Sequence, residues 1–505
     1  MSYSWHTRLL LALASGAALA LSFPSYHLSL LAWVSVGLLI LASYGARPAV
    51  APLYGFVHAL VFYPMCLTWI DVVVHQYGNV PPVTAAGLVL LIAIIFGMIT
   101  AVFSWGVAVA STQGPAWACL SAPFLWVALE FARTNIPIIG FPWNLVGYAA
   151  TGNLALVQFT AVTGIYGLSF VVVGFSASLA YAILVRSKRA WQTVLISLAL
   201  LVLIAVGGGY FVPPAQARYT AHLVQTNFPQ SYEYPPDWLP RHAAELDLLE
   251  RISIEAASKI PGLIIWPEVP APFSLQDAAF AGRARQIARD AGQDFLVGVE
   301  DWRQNSAGKW DATNSAVLLA ASGARLFTYD KIHLVPFGEY VPLRKWLTFA
   351  GKLTADIGDF AAGTRYEVGS LPGGTFGAFI CYEAIFPDEV RRFTAGGAEL
   401  LVNMSNDGWF GRSAAPAQHV MMARVRAVEN RRWLLRVTNN GFTVDVDPYG
   451  RTVAELPTDM RGQLDAPYDF RKDLTLYARF GDWFAWLCVV ASAMLLGVAV
   501  AKRSR

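Results

Sequence analysis

The chain has 505 residues, of which 55% are hydrophobic and only 14% charged, too apolar for an ordinary soluble enzyme. A formal net charge of +3, dispersed along the chain, excludes the basic stripe that nucleic-acid binding requires. Charge is also unevenly placed: up to Tyr210 the Asp, Glu, Lys and Arg residues are Arg8, Arg47, Asp71, Glu130, Arg133, Arg186, Lys188 and Arg189, so nearly all the rest lies in one C-terminal globular segment.

From the start, apolar runs occupy about 9–23, 28–43, 50–70, 83–110, 116–131, 154–185, 193–212 and 483–501, each near the length that crosses a bilayer as a helix. Basic Arg8, an apolar stretch and small residues resemble a secretory signal, but the second run follows so closely that a retained helix is expected. Eight spans are predicted, seven of them before the globular segment, dividing the chain into 1–212, 213–480 and 481–505. With eight alternating spans, Arg8, Arg47, Arg186, Lys188, Arg189 and the terminal Lys502, Arg503 and Arg505 share one side. The positive-inside rule makes that side cytoplasmic, with both termini there and the globular segment outside. Arg133 is the basic exception on the outer side. Three of the four cysteines (Cys66, Cys119, Cys488) fall in the spans, so no disulfide framework is implied and Cys381 is expected as a free thiol.

The outer loop 134–148, with Trp143 and Tyr148, is too apolar for solvent and too irregular for a helix, and is expected at the membrane–water interface, with a plain aromatic belt as the bland alternative. In the globular segment, 219–228, 263–266, 295–299, 315–321, 326–329, 376–380, 400–404, 434–438 and 443–446 read as strands. Helical patterns at 239–258, 277–291, 387–395 and 417–430 lie between several of them, giving a layered α/β domain. The sequence DPYG at 447–450 is a turn signal. His333 and His419 lack metal-site spacing and read as structural, and neither a metal nor a cofactor is expected.

Three strand-like runs end in a chemically useful side chain. The run LIIWPE ends at Glu268, a second run from Phe327 carries Lys331 with Glu339 beyond it, and GAFICYEAIFP at 377–387 delivers Cys381 to a turn with Tyr382 and Glu383 next. Because Pro387 and two acids open a helix, Cys381 reads as a strand-to-helix elbow, which exposes the sulfur beside backbone N–H groups able to receive an oxyanion. From Cys381 alone, a buried structural thiol is the alternative. The three segments together resemble the nitrilase superfamily, whose Glu-Lys-Cys triad arrives in this order on strand ends of an α-β-β-α sandwich; the separations here are 63 and 50 residues.

The resemblance extends further. GFPW at 140–143 between two spans, VQTNFPQS at 224–231, KIHLVPFGEYVP at 331–342, CYE at 381–383 and SNDGWFG at 405–411 are similar to the apolipoprotein N-acyltransferase family. Seven spans, a nitrilase-like domain and one closing span match that family across the whole chain. The resemblance implies a bacterial inner-membrane enzyme with its catalytic domain on the periplasmic side. It would carry an acyl chain from a phospholipid, typically sn-1 of phosphatidylethanolamine, through a Cys381 thioester to the α-amino group of an S-diacylglyceryl cysteine on an apolipoprotein. Glu268 is expected as general base and acid, and Lys331 as thiolate and oxyanion stabiliser. Glu339, Tyr382 and Glu383 are implied as supporting residues, with ordinary salt-bridge glutamates as the alternative for the two acids. The substrate-binding aromatic of the family falls on Tyr234 or Trp238.

Trp143, Trp409 and Phe410, with Phe337, Trp346 and Phe349, are candidate acyl-chain contacts, or else packing within the protein. A monomer is expected, in a lipid bilayer and with no nucleic-acid partner. A membrane-anchored amidase hydrolysing a small amide stays open beside the transferase. A transporter or scaffold with a dead catalytic module would predict a damaged triad or charges buried in the spans, and neither is expected.

Overall fold

The computed structural model describes residues 3–78, 80–210, 212–231, 234–305, 308–340 and 360–503. Trp346 and Phe349, with residues 341 and 342 of the Lys331 motif, lie outside the described residues. The chain divides into two compact units. The first joins Met1–Pro213, Arg412–Met421 and Phe480–Arg505, and the second Pro214–Gly411 and Met422–Arg479.

The first unit is helical: α1 (Trp5–Leu21), α2 (Ala32–Ser43), α3 (Pro52–Cys66), α4 (Thr68–Val72), α5 (Pro82–Ala110), α6 (Pro115–Thr134), α7 (Leu154–Val157), α8 (Thr160–Thr163), α9 (Ile165–Val185), α10 (Lys188–Tyr210) and a closing helix, Trp483–Arg503. Among the described residues, five helices are long and apolar enough to cross a membrane: Pro82–Gln113, Pro115–Thr134, Ile165–Val185, Lys188–Tyr210 and Trp483–Arg503. The span expected at 50–70 is a pair, Pro52–Cys66 and Thr68–Tyr77, bent by 54°. Pro64, inside α3, removes one rung of the helical ladder and crowds the preceding turn just before the break. The first two expected spans are shorter helices, Trp5–Leu21 and Ser29–Ser43.

The run 154–185 is not one helix. Asn153 caps α7 by accepting from Ala155 N and Leu156 N, both at 3.0 Å, and Gly164 at φ +65° breaks the chain before α9. Close helix packing is visible at Gly55 in α3, where a Cβ would lie 2.0 Å from the Thr100 carbonyl oxygen of α5.

Two expectations for this unit are corrected. Charges are buried in its helices: Arg8 in α1 donates to the Tyr44 carbonyl at 2.7 Å and the Ala42 carbonyl at 2.6 Å, and Glu130 and Arg133 in α6 are 7% and 4% exposed. The aromatic loop is packed inside the unit rather than spread at a surface, with Phe141, Trp143, Leu145 and Tyr148 all buried. Its backbone supplies the reason. Glu130 Oε1 accepts from Val146 N at 2.7 Å and from Trp126 Nε1 at 2.9 Å, while Arg133 donates to the Trp143 carbonyl at 3.1 Å and to Tyr63 Oη at 2.7 Å. Backbone groups in an irregular apolar loop must find partners away from water, and these two side chains provide them.

The second unit holds two six-stranded sheets. One runs β12-β1-β2-β3-β4-β5 and the other β11-β10-β9-β8-β7-β6. In chain order the strands are β1 (Tyr219–Gln225), β2 (Leu263–Ile265), β3 (Phe295–Gln304), β4 (Trp310–Leu319), β5 (Arg325–Asp330), β6 (Val368–Leu371), β7 (Gly374–Ile380), β8 (Leu400–Ser405), β9 (Leu434–Thr438), β10 (Thr443–Val446), β11 (Thr452–Leu456) and β12 (Gly462–Tyr468). The helices are α11 (Trp238–Arg241), α12 (Ala243–Lys259), α13 (Ala278–Ala291), α14 (Pro387–Ala395), α15 (Ala415–Asn430) and α16 (Leu476–Phe480), with the first seven residues of α15 grouped with the other unit.

Parallel pairs β1–β2–β3 and β7–β8–β9 form the middle of each sheet, and β2, β8 and β9 are buried along their whole length. That is why β2 reads as an unbroken apolar run, while β8 and β9 are apolar apart from polar residues such as Asn403 and Arg436, which are buried and pair with each other. The sheets meet through β1 with β9 and β4 with β7, while α12 and α13 cover the first sheet and α14 lies on β7, giving the expected α-β-β-α sandwich. A core of Val224, Trp238, Leu249, Trp266, Phe280, Phe295 and Val317 fills the space under α12 and α13.

Candidate active site

Each triad residue leaves a strand end. Glu268 follows β2 by three residues, Lys331 comes directly after β5, and Cys381 directly after β7. Cys381 has φ +47°, a left-handed conformation that a side chain with a Cβ seldom adopts and that costs of order 1–3 kcal/mol. A short 3₁₀ turn, Cys381–Ile385, follows, then α14 with Pro387 at its first position. The elbow is therefore real, and its turn opens at Cys381, the expected nucleophile.

The Lys331 ammonium lies 3.0 Å from Glu268 Oε1 and 2.9 Å from Glu339 Oε1. Its backbone N–H donates to the Asn314 carbonyl at 2.9 Å, and its carbonyl accepts from Gly363 N at 2.8 Å, so both ends of the residue are fixed. Glu268 uses its second oxygen to accept from Asn406 N at 2.9 Å, and Glu339 uses its own to accept from Val335 N at 2.8 Å. Lys331 is 1% exposed. Burial works to discharge its amine, but Glu268 and then Glu339 carry it well above its ordinary value, so it is a fixed ammonium.

At Cys381, burial first and the Glu268 carboxylate second push the thiol up, while Lys331 and a hydrogen bond with the Ser405 hydroxyl work the other way. The resting pair is thus a neutral thiol beside a carboxylate, an arrangement in which the carboxylate accepts the proton as the sulfur attacks.

Glu383 does not meet Lys331 Nζ. One of its oxygens accepts from Tyr329 Oη at 2.7 Å, Ile332 N at 2.7 Å and His333 N at 3.1 Å, and the other from Ile380 N at 2.6 Å. It ties the backbone after Lys331 to the residue before Cys381. Burial, then Glu389, push its carboxyl up to about 7 despite these donors. The Tyr382 ring packs edge-on against His333 and Phe386.

The aromatics divide. Trp238 is a core residue, stacked on His242 at 4.1 Å, and Tyr234 packs edge-on against it at 5.9 Å. Trp143 belongs to the first unit, where its indole donates to Gln418 Oε1 at 2.6 Å and stacks against Phe141. Trp409 is half-buried, Phe410 is buried and Phe337 is exposed, all in the second unit.

Three participants escaped the sequence reading. Asn314 donates to both Glu268 and Glu339, Ser405 reaches the Cys381 sulfur, and Asp407, paired with Arg436, holds the Ser405 hydroxyl at 2.9 Å. Ser405 and Asp407 stood in a recognised motif and followed an apolar run; Asn314 carried no such signal. Among the described residues no cluster of His, Cys, Asp and Glu could hold a metal ion.

Comparison with known proteins places the chain. Residues 15–178 match the family model described as the apolipoprotein N-acyltransferase N-terminal domain, and residues 223–472 match the carbon-nitrogen hydrolase model. The apolipoprotein N-acyltransferase of Geobacter metallireducens is 36% identical, with 98% of this chain and 96% of that protein covered. That of Azotobacter vinelandii is 33% identical, with 98% and 95% covered. An amidase structure from Nesterenkonia sp. is 23% identical over 51% of this chain and 93% of that one, at a TM-score of 0.37, a likeness too distant to carry an argument. The chain belongs to the apolipoprotein N-acyltransferase family.

Proposed function

We propose that this protein moves an acyl chain from a phospholipid, sn-1 of phosphatidylethanolamine, to the α-amino group of an S-diacylglyceryl cysteine at the N-terminus of an apolipoprotein. Glu268 takes the Cys381 proton as the sulfur attacks the ester carbonyl. The tetrahedral oxyanion is met by the Lys331 ammonium and the N–H of Tyr382, and Glu268 returns the proton to the departing lysolipid oxygen. In the second half the amine attacks the thioester, Glu268 removes its proton, and the thiolate leaves and is reprotonated. The observation that carries this reading is the buried Glu268–Lys331 contact at 3.0 Å beside a neutral thiol on an elbow, in a chain aligned to its relatives over 98% of its length. Glu339 and Glu383 serve as supports, the first by holding the ammonium and the second by joining the two backbones that carry Lys331 and Cys381.

The reading includes a topology: residues 1–212 and 481–505 in the inner membrane of a bacterium, 213–480 on the periplasmic side, both termini cytoplasmic, acting as a monomer. It is supported by the basic residues Arg47, Arg186, Lys188, Arg189, Lys502 and Arg503 flanking the apolar helices. Tyr234, Trp238, Trp143, Trp409 and Phe410 remain the aromatic candidates for lipid contact.

The test is the intact mass of the protein after incubation with phosphatidylethanolamine in detergent. One added acyl mass, removed by hydroxylamine and absent in Cys381→Ala, is expected. An unmodified wild-type protein that still acylates a diacylated peptide would contradict the thioester route.

A further inference from the structure

We infer that Asn314 is a positioning residue that holds the Glu268 and Glu339 side chains side by side around Lys331, and so governs the pH dependence of the step in which Glu268 takes the thiol proton. The inference rests on the reading of Glu268 as the base.

Asn314 sits in the interior of β4, between β3 and β5. Its Nδ2 lies 2.8 Å from Glu268 Oε1 and 2.8 Å from Glu339 Oε1. An amide nitrogen has two hydrogens, and here both are committed. Lys331 Nζ meets the same two oxygens at 3.0 and 2.9 Å. Two carboxylate oxygens and two nitrogen donors thus form a closed four-cornered ring, in which each oxygen is held from two sides. The same asparagine accepts the Lys331 backbone N–H through its carbonyl, so one residue fixes the peptide of the lysine and the carboxylates it faces. The amide cannot be reversed, since Oδ1 would then face two carboxylate oxygens.

Charge makes the neutral donor useful. Two carboxylates and one ammonium leave a buried surplus of one negative charge, and like charges sharing a site push one carboxyl towards its protonated form. A second cation would balance the count but would also hold the thiolate and oxyanion too firmly to be released. A neutral N–H pair stabilises both carboxylates without adding charge. Other ionisable groups acting on this ring are Cys381, Tyr382 and Glu383 on the β7 elbow and Asp407 after β8, and Glu300 on β3 is the cross-strand partner of Asn314. A residue serving only the core would need no amide here: Oδ1 is buried and has no hydrogen-bond partner among the described residues.

The experiment measures the rate of Cys381 acylation by phosphatidylethanolamine against pH, in single turnover, on the full chain in detergent. Wild type, Asn314→Ala, Asn314→Ser and Asn314→Asp are compared, with Glu268→Gln as reference. Losing two donors to ionised carboxylates raises the pKa of the base. Asn314→Ala should therefore slow acylation at neutral pH by about 10- to 100-fold and move the acid limb upward by about one pH unit. Asn314→Asp, of the same shape but with a third carboxylate, should move it further. Asn314→Ser, which keeps one donor, should recover part of the shift. Alkylation of Cys381 by iodoacetamide at high pH, read from its peptide mass, reports an intact elbow in each variant, and if Asn314→Ala fails that control the Ser and Asp variants carry the comparison. A lower rate with an unmoved acid limb, or an unchanged rate, overturns the inference. A wild type whose acid limb survives in Glu268→Gln overturns the base reading instead, which keeps the two failures distinct.

Discussion

Both units bury charge, and they do so differently. Around Lys331 every carboxylate oxygen of Glu268 and Glu339 accepts at least one hydrogen bond, and the ammonium is held by two of them. Around Glu130 and Arg133 the side chains grip loop backbone instead, Arg133 Nε has no partner among the described residues, and both line a cavity of about 30 Å³ together with Asn144. That volume has room for about two water molecules. A complete hydrogen-bond set fixes charges in advance of a reaction, so they stabilise a transition state without reorganising. A partial set beside a small, mostly apolar cavity does a different job, holding an irregular loop in an apolar surrounding. The first cluster should therefore govern rate, and the second stability.

The largest test of that contrast removes the machinery. Cys381→Ala should abolish the acyl adduct and turnover with the fold retained. Glu268→Gln and Lys331→Ala should each lower the acylation rate by about 100-fold or more, and the double variant by less than the product, because the groups share one ring. Fully independent effects would dissolve the ring as a unit.

In the other cluster, Arg133→Met and Glu130→Leu should each cost about 3 kcal/mol of stability, the upper end of the scale for leaving buried polar groups such as Val146 N and the Trp143 carbonyl without their partners, read as a lower midpoint in thermal unfolding in detergent. The acid limb of acylation should stay where it is. A moved limb would tie this cluster to the chemistry and end the contrast.

The triad was legible in the sequence because a strand buried on both faces leaves an unbroken apolar run, and one polar side chain at its end stands out. Glu268 and Cys381 sit so, whereas Lys331 follows the edge strand β5, which is exposed at its start and buried at its last two residues. Asn314 does not. It lies within WDATNS, the polar half of a long hairpin in which β3 and β4 pair from Phe295↔Leu319 to Gln304↔Trp310, and the apolar pattern covered only the far end of that hairpin. The edge strands β6, β11 and β12 were missed for a related reason. β11 is half-exposed, and β12 contains Gly462, Asp465 and Pro467, residues tolerated where one side of a strand lacks a neighbour. In the helical unit, composition located the apolar runs, but the break at Gly164 and the bend after Pro64 depend on local backbone geometry that hydropathy does not record. Trp143 looked like an interfacial aromatic because its partners, Arg133 and Gln418, are a charged residue and a distant one whose burial no local pattern announces.

The smallest expected effect concerns Glu383. Its carboxyl is raised to about 7 by burial and then Glu389, so the folded protein holds a proton there that the unfolded chain releases near the ordinary glutamate value. Stability from this group is fully present below about pH 4.5 and is lost as pH rises through 7, by up to about 3 kcal/mol. Glu383→Gln should flatten the fall of the unfolding midpoint across that window, and an unchanged slope would assign it to another group.

What resolves the thioester separates a transferase from an amidase. The decisive measurement is the time course of the acyl-enzyme, followed by intact mass, in three mixtures: without acceptor, with a peptide bearing an N-terminal S-diacylglyceryl cysteine, and with the same peptide N-acetylated. Persistence in the first and third and rapid discharge in the second, with the acyl mass appearing on the peptide, is the predicted result, because transfer competes only where water is kept from the site. Equal decay in all three would make water the second substrate and contradict the transferase.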